Sequence, residues 1–338
     1  MTHELKEIFH AYQQIKHAGI SVLATVVHLE GSGYRRPGVR MLCLPDGSAV
    51  GAVSGGCVER DITGQAQEVM RTGKARMMTY DGRYRLGCEG MLYILLEPFN
   101  PSQEAITYFK NQTESRQPLA LESDYRLEER EAPELGSYFT VGKQRLPLSP
   151  ANLAVSEMCF AQQLSPTHRL LVFGGEHDSV KLTAMAATLG WEVHIVVAAD
   201  EAKRLEDFPG ASDFSSVIPE QLGDLGIDSQ TAILLMTHSF SKDLKYLLQL
   251  SATSPAYLGI LGPAHRRERL LGELIERQPD LDDAFLELIH GPAGLDLGAE
   301  TPQEIALSIL SEILKAFRQA TALPLNEKES RIHTREES

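Results

Sequence analysis

From His168 onward, short apolar runs alternate with amphipathic stretches. RLLVFGG is followed by a helix-period segment from Ser179 to Gly190, and Trp191 to Val197 is a second apolar run. The alternation continues through TAILLMTH, FSKDLKYLLQL, AYLGILG and PAHRRERLLGELIE. Short continuous apolar runs suit strands buried on both faces, and intervening helices let those strands pair in parallel. The pattern therefore predicts a doubly wound parallel sheet, whose ligands bind beyond the carboxyl ends of the strands.

The first hundred residues follow another plan. Leu5, Ile8, Phe9, Tyr12 and Ile15 fall on one face of an opening helix that Gly19 ends. Ile20 to Leu29 is a β-branched run, read as a buried strand. Val39 to Leu44 and Ala49 to Val53 flank the turn Pro45-Asp46-Gly47 and predict a hairpin. Cys57 to Gly73 reads as a helix, and Arg76 to Tyr80 and Met91 to Glu97 as two further strands. The expected fold is α/β, with an N-terminal α+β domain over residues 1–99 and a Rossmann-like domain over 167–323. Residues 100–166 read as a connecting region with strand candidates near Leu119 to Leu121 and Tyr138 to Val141, and 324–338 as a disordered tail.

Charge narrows the partners. The 32 basic and 46 acidic residues leave a net charge of −14, which repels nucleic acid and anionic membranes at long range. The N-terminal stretch lacks the apolar core of a signal peptide, and no apolar run approaches the roughly 20 residues of a membrane span. The four cysteines form no CxxC pair and no zinc spacing. A cytoplasmic protein with reduced thiols is expected.

The stretch Gly31 to Glu59, GSGYRRPGVRMLCLPDGSAVGAVSGGCVE, is the densest in chemistry. Gly31, Gly33 and Gly38 let the backbone approach a ligand, Ser32 adds a hydroxyl, and Arg35, Arg36 and Arg40 offer planar forks for phosphate or carboxylate. Ser54, Gly55, Gly56 and Cys57 form a second donor-rich turn at a helix start, where the macrodipole favours anions and lowers a thiol pKa; Glu59 stands in that first turn. Cys57 reads either as a thiolate or as a small buried hydrophobe, and Cys88, in the loop DGRYRLGCEG, carries the same pair of readings. Cys43 and Cys159 read as structural.

In the second half the turn runs Gly174-Gly175-Glu176-His177-Asp178-Ser179. A dinucleotide fingerprint would carry glycine where Glu176 stands, and side-chain bulk with negative charge there disfavours a diphosphate. The second strand ends Val197-Ala198-Ala199-Asp200, which shifts the acid expected for ribose hydroxyls to Asp200. His238 and the run Pro263 to Arg269 are placed at the carboxyl ends of strands, so that His177, His238, Arg266 and Arg267 are expected to line a cleft there.

Taken together, GSGYRRPGVRM, GAVSGGCVE and YDGRYRLGCEG with a following strand ending in EPF resemble the N-terminal domain of the xanthine dehydrogenase accessory factor family, XdhC/CoxI. VFGGEHDS, LLMTHSFSKDLKYL, YLGILGPAHRRERL and HGPAGLDLGAETPQEIALSILSEI resemble its C-terminal Rossmann domain. The chain departs at Cys88-Glu89-Gly90, where the family often has Cys-Gly-Gly. The resemblance implies a non-catalytic maturation factor that binds the molybdenum cofactor, as molybdopterin or its cytosine dinucleotide form. It also implies sulfuration of that cofactor with a cysteine desulfurase and delivery to a molybdenum hydroxylase apo-enzyme such as xanthine dehydrogenase. Cofactor contacts are then expected at Gly31, Ser32, Arg35, Arg36, Arg40, the Ser54 to Cys57 turn, Glu59, Cys88, Gly174, Gly175, His177 and His238, with Cys57 as the candidate neighbour of molybdenum. A homodimer is the expected assembly. Two alternatives stand beside this reading: an NAD(P)-dependent oxidoreductase using the Rossmann-like half, and a sulfur carrier with persulfide on Cys57.

Overall fold

The computed structural model describes residues 2–31, 36–82, 90–150 and 158–327, and of Cys57 the backbone alone. The chain divides into two compact units, Met1–Thr167 and His168–Ser338.

The first unit opens with α1 (Thr2–Ile15), β1 (Ser21–Glu30), β2 (Arg40–Cys43), β3 (Ala49–Gly51), α2 (Cys57–Thr72), β4 (Arg76–Asp81) and β5 (Met91–Phe99). The five strands form one antiparallel sheet in the order β3-β2-β1-β5-β4. Strand alternation assigns its two faces. Val22, Ala24, Val26, Met41 and Ile94 pack against Val58, Ile62, Ala66 and Val69 of α2. Leu23 and Leu42 face the other way, onto Leu5, Ile8, Phe9 and Tyr12 of α1.

Residues 100–166, read from sequence as a connection, complete this unit. They supply α3 (Gln103–Glu114), β6 (Leu119–Tyr125), β7 (Ser137–Val141), β8 (Gln144–Pro147) and β9 (Met158–Leu164). These strands make a four-stranded antiparallel sheet, β8-β7-β6-β9. Leu119, Leu121, Phe139 and Leu164 share a core with α1, α3, Leu23 and Phe99. The Phe9 ring stacks on Phe109 with centroids 4.1 Å apart and meets Phe99 edge-on at 5.4 Å.

The second unit contains β10 (Arg169–Phe173), α4 (His177–Thr188), β11 (Glu192–Ala198), β12 (Asp213–Val217), β13 (Thr231–Leu235), α5 (Phe240–Leu250), β14 (Tyr257–Ile260), α6 (Ala264–Arg277), α7 (Asp283–Glu287), β15 (Ile289–His290) and α8 (Pro302–Arg318). Its six strands are all parallel, in the order β12-β11-β10-β13-β14-β15. This is the 3-2-1-4-5-6 order of a Rossmann sheet, with the topological switch between β10 and β13. Leu170, Val172, Ile195 and Leu234 pack beneath α4 and α8, and Leu171, Phe173, Ile233 and Leu258 beneath α5, α6 and α7, so the sheet is doubly wound. The Thr301 hydroxyl accepts from the Glu304 amide and the Glu304 carboxylate accepts from the Thr301 amide, a full capping box at the start of α8.

Candidate functional site

Antiparallel pairing decides which loops of the first unit meet. In register Thr25 faces Arg40, Met41 faces Gly51, Glu30 faces Met91, and Asp81 faces Met91. The chain therefore leaves β1 and β4, enters β2 and β5, and leaves β3 at one and the same sheet edge. Gly31, Arg36, the Ser54–Cys57 turn, and Gly82 with Gly90 all stand at this edge; the Gly82 amide donates to the Gly90 carbonyl at 3.0 Å. Ser32, Gly33, Arg35 and Cys88 of the predicted site lie outside the described residues, as does the Cys57 side chain.

Within this group the residues differ. Gly31 has φ +80°, a left-handed conformation that favours glycine, and Arg36 is half-buried. Arg40 does not accompany Arg36. It stands in β2 with its side chain only 6% exposed, because it shares the inward face of Leu42. Its Nη1 donates at 2.8 Å both to the Gly38 carbonyl and to Gln162 Oε1 of β9. Burial pulls its pKa down to about 10, opposed by the fields of Glu97 and Glu4. Gly38 is glycine for a local reason: its φ is +98° and a Cβ would collide with the Gln162 amide.

The Ser54–Cys57 turn is occupied by the chain's own carboxylate. Glu59 Oε1 accepts from the amides of Val53 at 3.1 Å and Ser54 at 2.5 Å, and Oε2 accepts from Ser54 Oγ at 2.7 Å and the Gly56 amide at 2.8 Å. Gly56 is the N-cap of α2, with φ +119°, and Glu59 is the N3 residue that returns to it. Burial works against ionisation of Glu59, but these donors outweigh it and its pKa is lowered. Gly55 and Gly56 themselves are bare: among the described residues nothing lies within 4 Å of where a Cβ would stand on either.

Two thiols are described fully. Cys43 is buried in β2 and Cys159 exposed on β9. Burial pushes both up to about 11, which keeps them protonated at neutral pH and suits the structural reading. Among the described residues no group of three or more His, Cys, Asp or Glu is placed to hold a metal ion.

His28 is a residue that sequence reasoning passes over. A β-bulge at Val27 shifts the register between Val26 and His28, so His28 pairs with Tyr93 instead of continuing the strict alternation. Its ring stacks on Tyr125 at 6.0 Å and lies 5.4 Å from Tyr93, three residues before the Gly31 turn. A bulge has no single-residue signature in a β-branched run, so only the pairing reveals it.

In the second unit Gly174 and Gly175 follow β10, His177 opens α4, and His238 follows β13, so all four stand at the carboxyl edge beside the topological switch. Both glycines have packing reasons within the unit. A Cβ on Gly174 would stand 2.7 Å from the Met236 carbonyl oxygen, and one on Gly175 3.0 Å from Lys203 Cγ. Asp200 and Glu201 are both paired with Lys242, at 2.9 and 3.0 Å. Asp243, buried at the start of α5, accepts from Thr237 Oγ1 at 2.6 Å and from Arg266 at 2.7 Å, which ties the β13 and β14 loops together. His238 between them is exposed with φ +54°. A left-handed non-glycine residue costs about 1 kcal/mol, so His238→Gly is expected to stabilise the second unit by about that amount in urea unfolding followed at Trp191.

The comparisons with known proteins agree with both halves. The model of the XdhC and CoxI family matches residues 17–81, and that of the XdhC Rossmann domain matches 170–313. The chain is 27% identical to a protein of Bacillus subtilis (strain 168) named as a probable xanthine dehydrogenase subunit, over 324 residues, 90% of this chain and 95% of the relative. It is also 27% identical to the "Molybdenum cofactor insertion chaperone PaoD" of Escherichia coli (strain K12) over 298 residues, 87% of this chain and 82% of the relative. The crystal structure of a xanthine dehydrogenase from Bacillus halodurans superposes with a TM-score of 0.75 at 26% identity, covering 93% of this chain and 96% of that one. Two family models in the right order, relatives spanning nearly the full length and a shared two-part fold lead to one conclusion: the chain belongs to the XdhC/CoxI family, the xanthine dehydrogenase accessory factors.

Proposed function

We propose that this protein binds the molybdenum cofactor and delivers it to a molybdenum hydroxylase of the xanthine dehydrogenase type, without turnover of its own. The observation that carries this reading is the edge of the five-stranded sheet, at which Arg36 and the uncovered Gly55–Gly56 backbone both stand. A pterin with a phosphate tail calls for both: a guanidinium for the charged end and close, side-chain-free backbone for a flat ring system. The name of the PaoD relative, a molybdenum cofactor insertion chaperone, supports the same assignment. When bound, the cofactor supplies the molybdenum centre, and Cys57 at the first position of α2 is the proposed thiol beside it. Sulfuration with a cysteine desulfurase and the cytosine dinucleotide form of the cofactor belong to this proposal as its finer parts.

An NAD(P) reading ranks below it. Glu176 and Asp178 put negative charge at the start of α4, and Asp200, which would hold ribose hydroxyls, is engaged by Lys242.

The test is anaerobic purification of the chain co-expressed with a molybdenum hydroxylase, followed by oxidative release and fluorescence of the pterin. Bound pterin is expected, and its absence overturns the proposal. Arg36→Ala is expected to weaken retention about tenfold, the size of one lost charge-assisted contact, and Cys57→Ala to weaken it too, both with unchanged circular dichroism. Full loading of the Cys57→Ala chain disposes of the thiol role.

A further inference from the structure

We infer that Glu59 is a positioning and specificity-determining residue: its carboxylate fills the anion-binding turn ahead of α2, so that this turn receives an uncharged face of the ligand and leaves phosphate to Arg36. The inference deepens the proposed function and rests on it. Backbone donors gathered ahead of a helix ordinarily attract phosphate. Here three amides and one hydroxyl, from Val53, Ser54 and Gly56, already converge on one carboxylate of the same chain. The lowered pKa of Glu59 adds that the group is a full anion at neutral pH. A ligand phosphate brought to the same donors would meet that negative charge at contact distance and would find all four donors engaged. Ser54 and Glu59 are thus builders of the turn, where the sequence placed them among the contacts. What the turn still offers is the Gly55 amide, which has no partner among the described residues, and the open surface over Gly55 and Gly56.

The probe is inorganic pyrophosphate, titrated into the full apo chain by calorimetry and phosphorus NMR. The parent is expected to bind it weakly and only through Arg36, so that Arg36→Ala abolishes the signal. Glu59→Gln, which keeps the size of the side chain and removes its charge, is expected to bind pyrophosphate at least tenfold more tightly. That gain should shrink in Ser54→Ala/Glu59→Gln, which loses one of the four donors, and persist in Arg36→Ala/Glu59→Gln. A folded Glu59→Gln chain with no gain overturns the inference, as does a gain that disappears with Arg36. Should Glu59→Gln fail to fold, amide NMR of the parent decides: the Val53, Ser54 and Gly56 amides are expected to shift together with one inflection below the ordinary glutamate value, and independent or absent inflections overturn it. Absence of co-purified pterin would remove the proposed function, while the pyrophosphate titration would still decide what Glu59 excludes.

Discussion

Glu97→Gln is expected to flatten the pH dependence of the first unit's stability between about pH 5 and 8. Glu97 is fully buried in β5, where its two oxygens accept from the Ser137 amide at 2.9 Å and the Ser137 hydroxyl at 2.5 Å. Burial pushes its pKa up to about 7, against the Ser137 bonds and the field of Arg40. The folded unit therefore holds a proton that the unfolded chain, with its ordinary value of 4.5, releases. Stability from this group is complete below about pH 4.5 and is lost as pH rises through about 7. A shift of that size corresponds to roughly 3 kcal/mol. Glutamine cannot ionise, so the difference between variant and parent should grow in favour of the variant by that order from pH 5 to pH 8. Cys43 supplies the reporter, since its thiol is buried in β2 and alkylates only when the unit opens. Urea-dependent alkylation of the Cys43 peptide, read by mass spectrometry at several pH values, makes the measurement. An unchanged pH slope in Glu97→Gln contradicts the assignment.

Glu312→Ala is expected to cost the second unit about 3 kcal/mol and to release the loop that precedes α8. One carboxylate in α8 accepts from Tyr257 Oη at 2.6 Å and the Gly294 amide at 2.8 Å, and His290 Nδ1 lies 3.0 Å away. Alanine leaves the fully buried Tyr257 hydroxyl without its acceptor, and an unsatisfied buried donor is the expensive outcome. Here the pH dependence has the opposite sign from Glu97. Burial opposes ionisation, but His290, Tyr257 and Gly294 together hold the Glu312 pKa below the ordinary value. Its contribution is therefore present above about 4.5 and is lost as pH falls through the folded value. Trp191, the single tryptophan of the chain and a member of this unit's core, reads the transition by fluorescence. Glu312→Gln should recover part of the loss, and equal stability of Glu312→Ala and the parent would refute the role.

Much of this architecture was legible in the residues. The parallel sheet followed from strand and helix alternation after His168, because strands buried on both faces need no polar partner side. The hairpin followed from Pro45-Asp46-Gly47, a turn whose Asp46 side chain accepts from the Ser48 amide and hydroxyl. The second sheet of the first unit was legible only in part: β6 and β7 coincide with the two strand candidates, but β8 and β9 are largely exposed on one side and carry polar residues that mimic a loop. Its inner face is also partly polar: Gln162, Ser137 and Ser123 are buried, and only the positions of Arg40 and Glu97 explain why. At the site, the residues that gather at one sheet edge could be named in advance, but their division of labour could not. Glu59 three residues after Gly56 is a capping spacing, and reading it as such would have exposed the filled turn. The inward course of Arg40 depends on which face β2 turns to β1, a matter of register that no local pattern states.

The four-stranded sheet of residues 119–164 also sets where this gene can be cut. The family match in the first half spans only 17–81, yet β5 at 91–99 sits between β1 and β4, so a segment ending at 81 carries a sheet with its middle missing. A segment ending at 99 restores the strand but strands two buried polar side chains, for Arg40 then lacks Gln162 and Glu97 lacks Ser137. The shortest portable piece is Met1–Thr167, longer than the region that carries the recognisable motifs. Exchanges of the N-terminal half between relatives should therefore succeed when the whole of that piece travels together, and fail at cuts placed by motif alone.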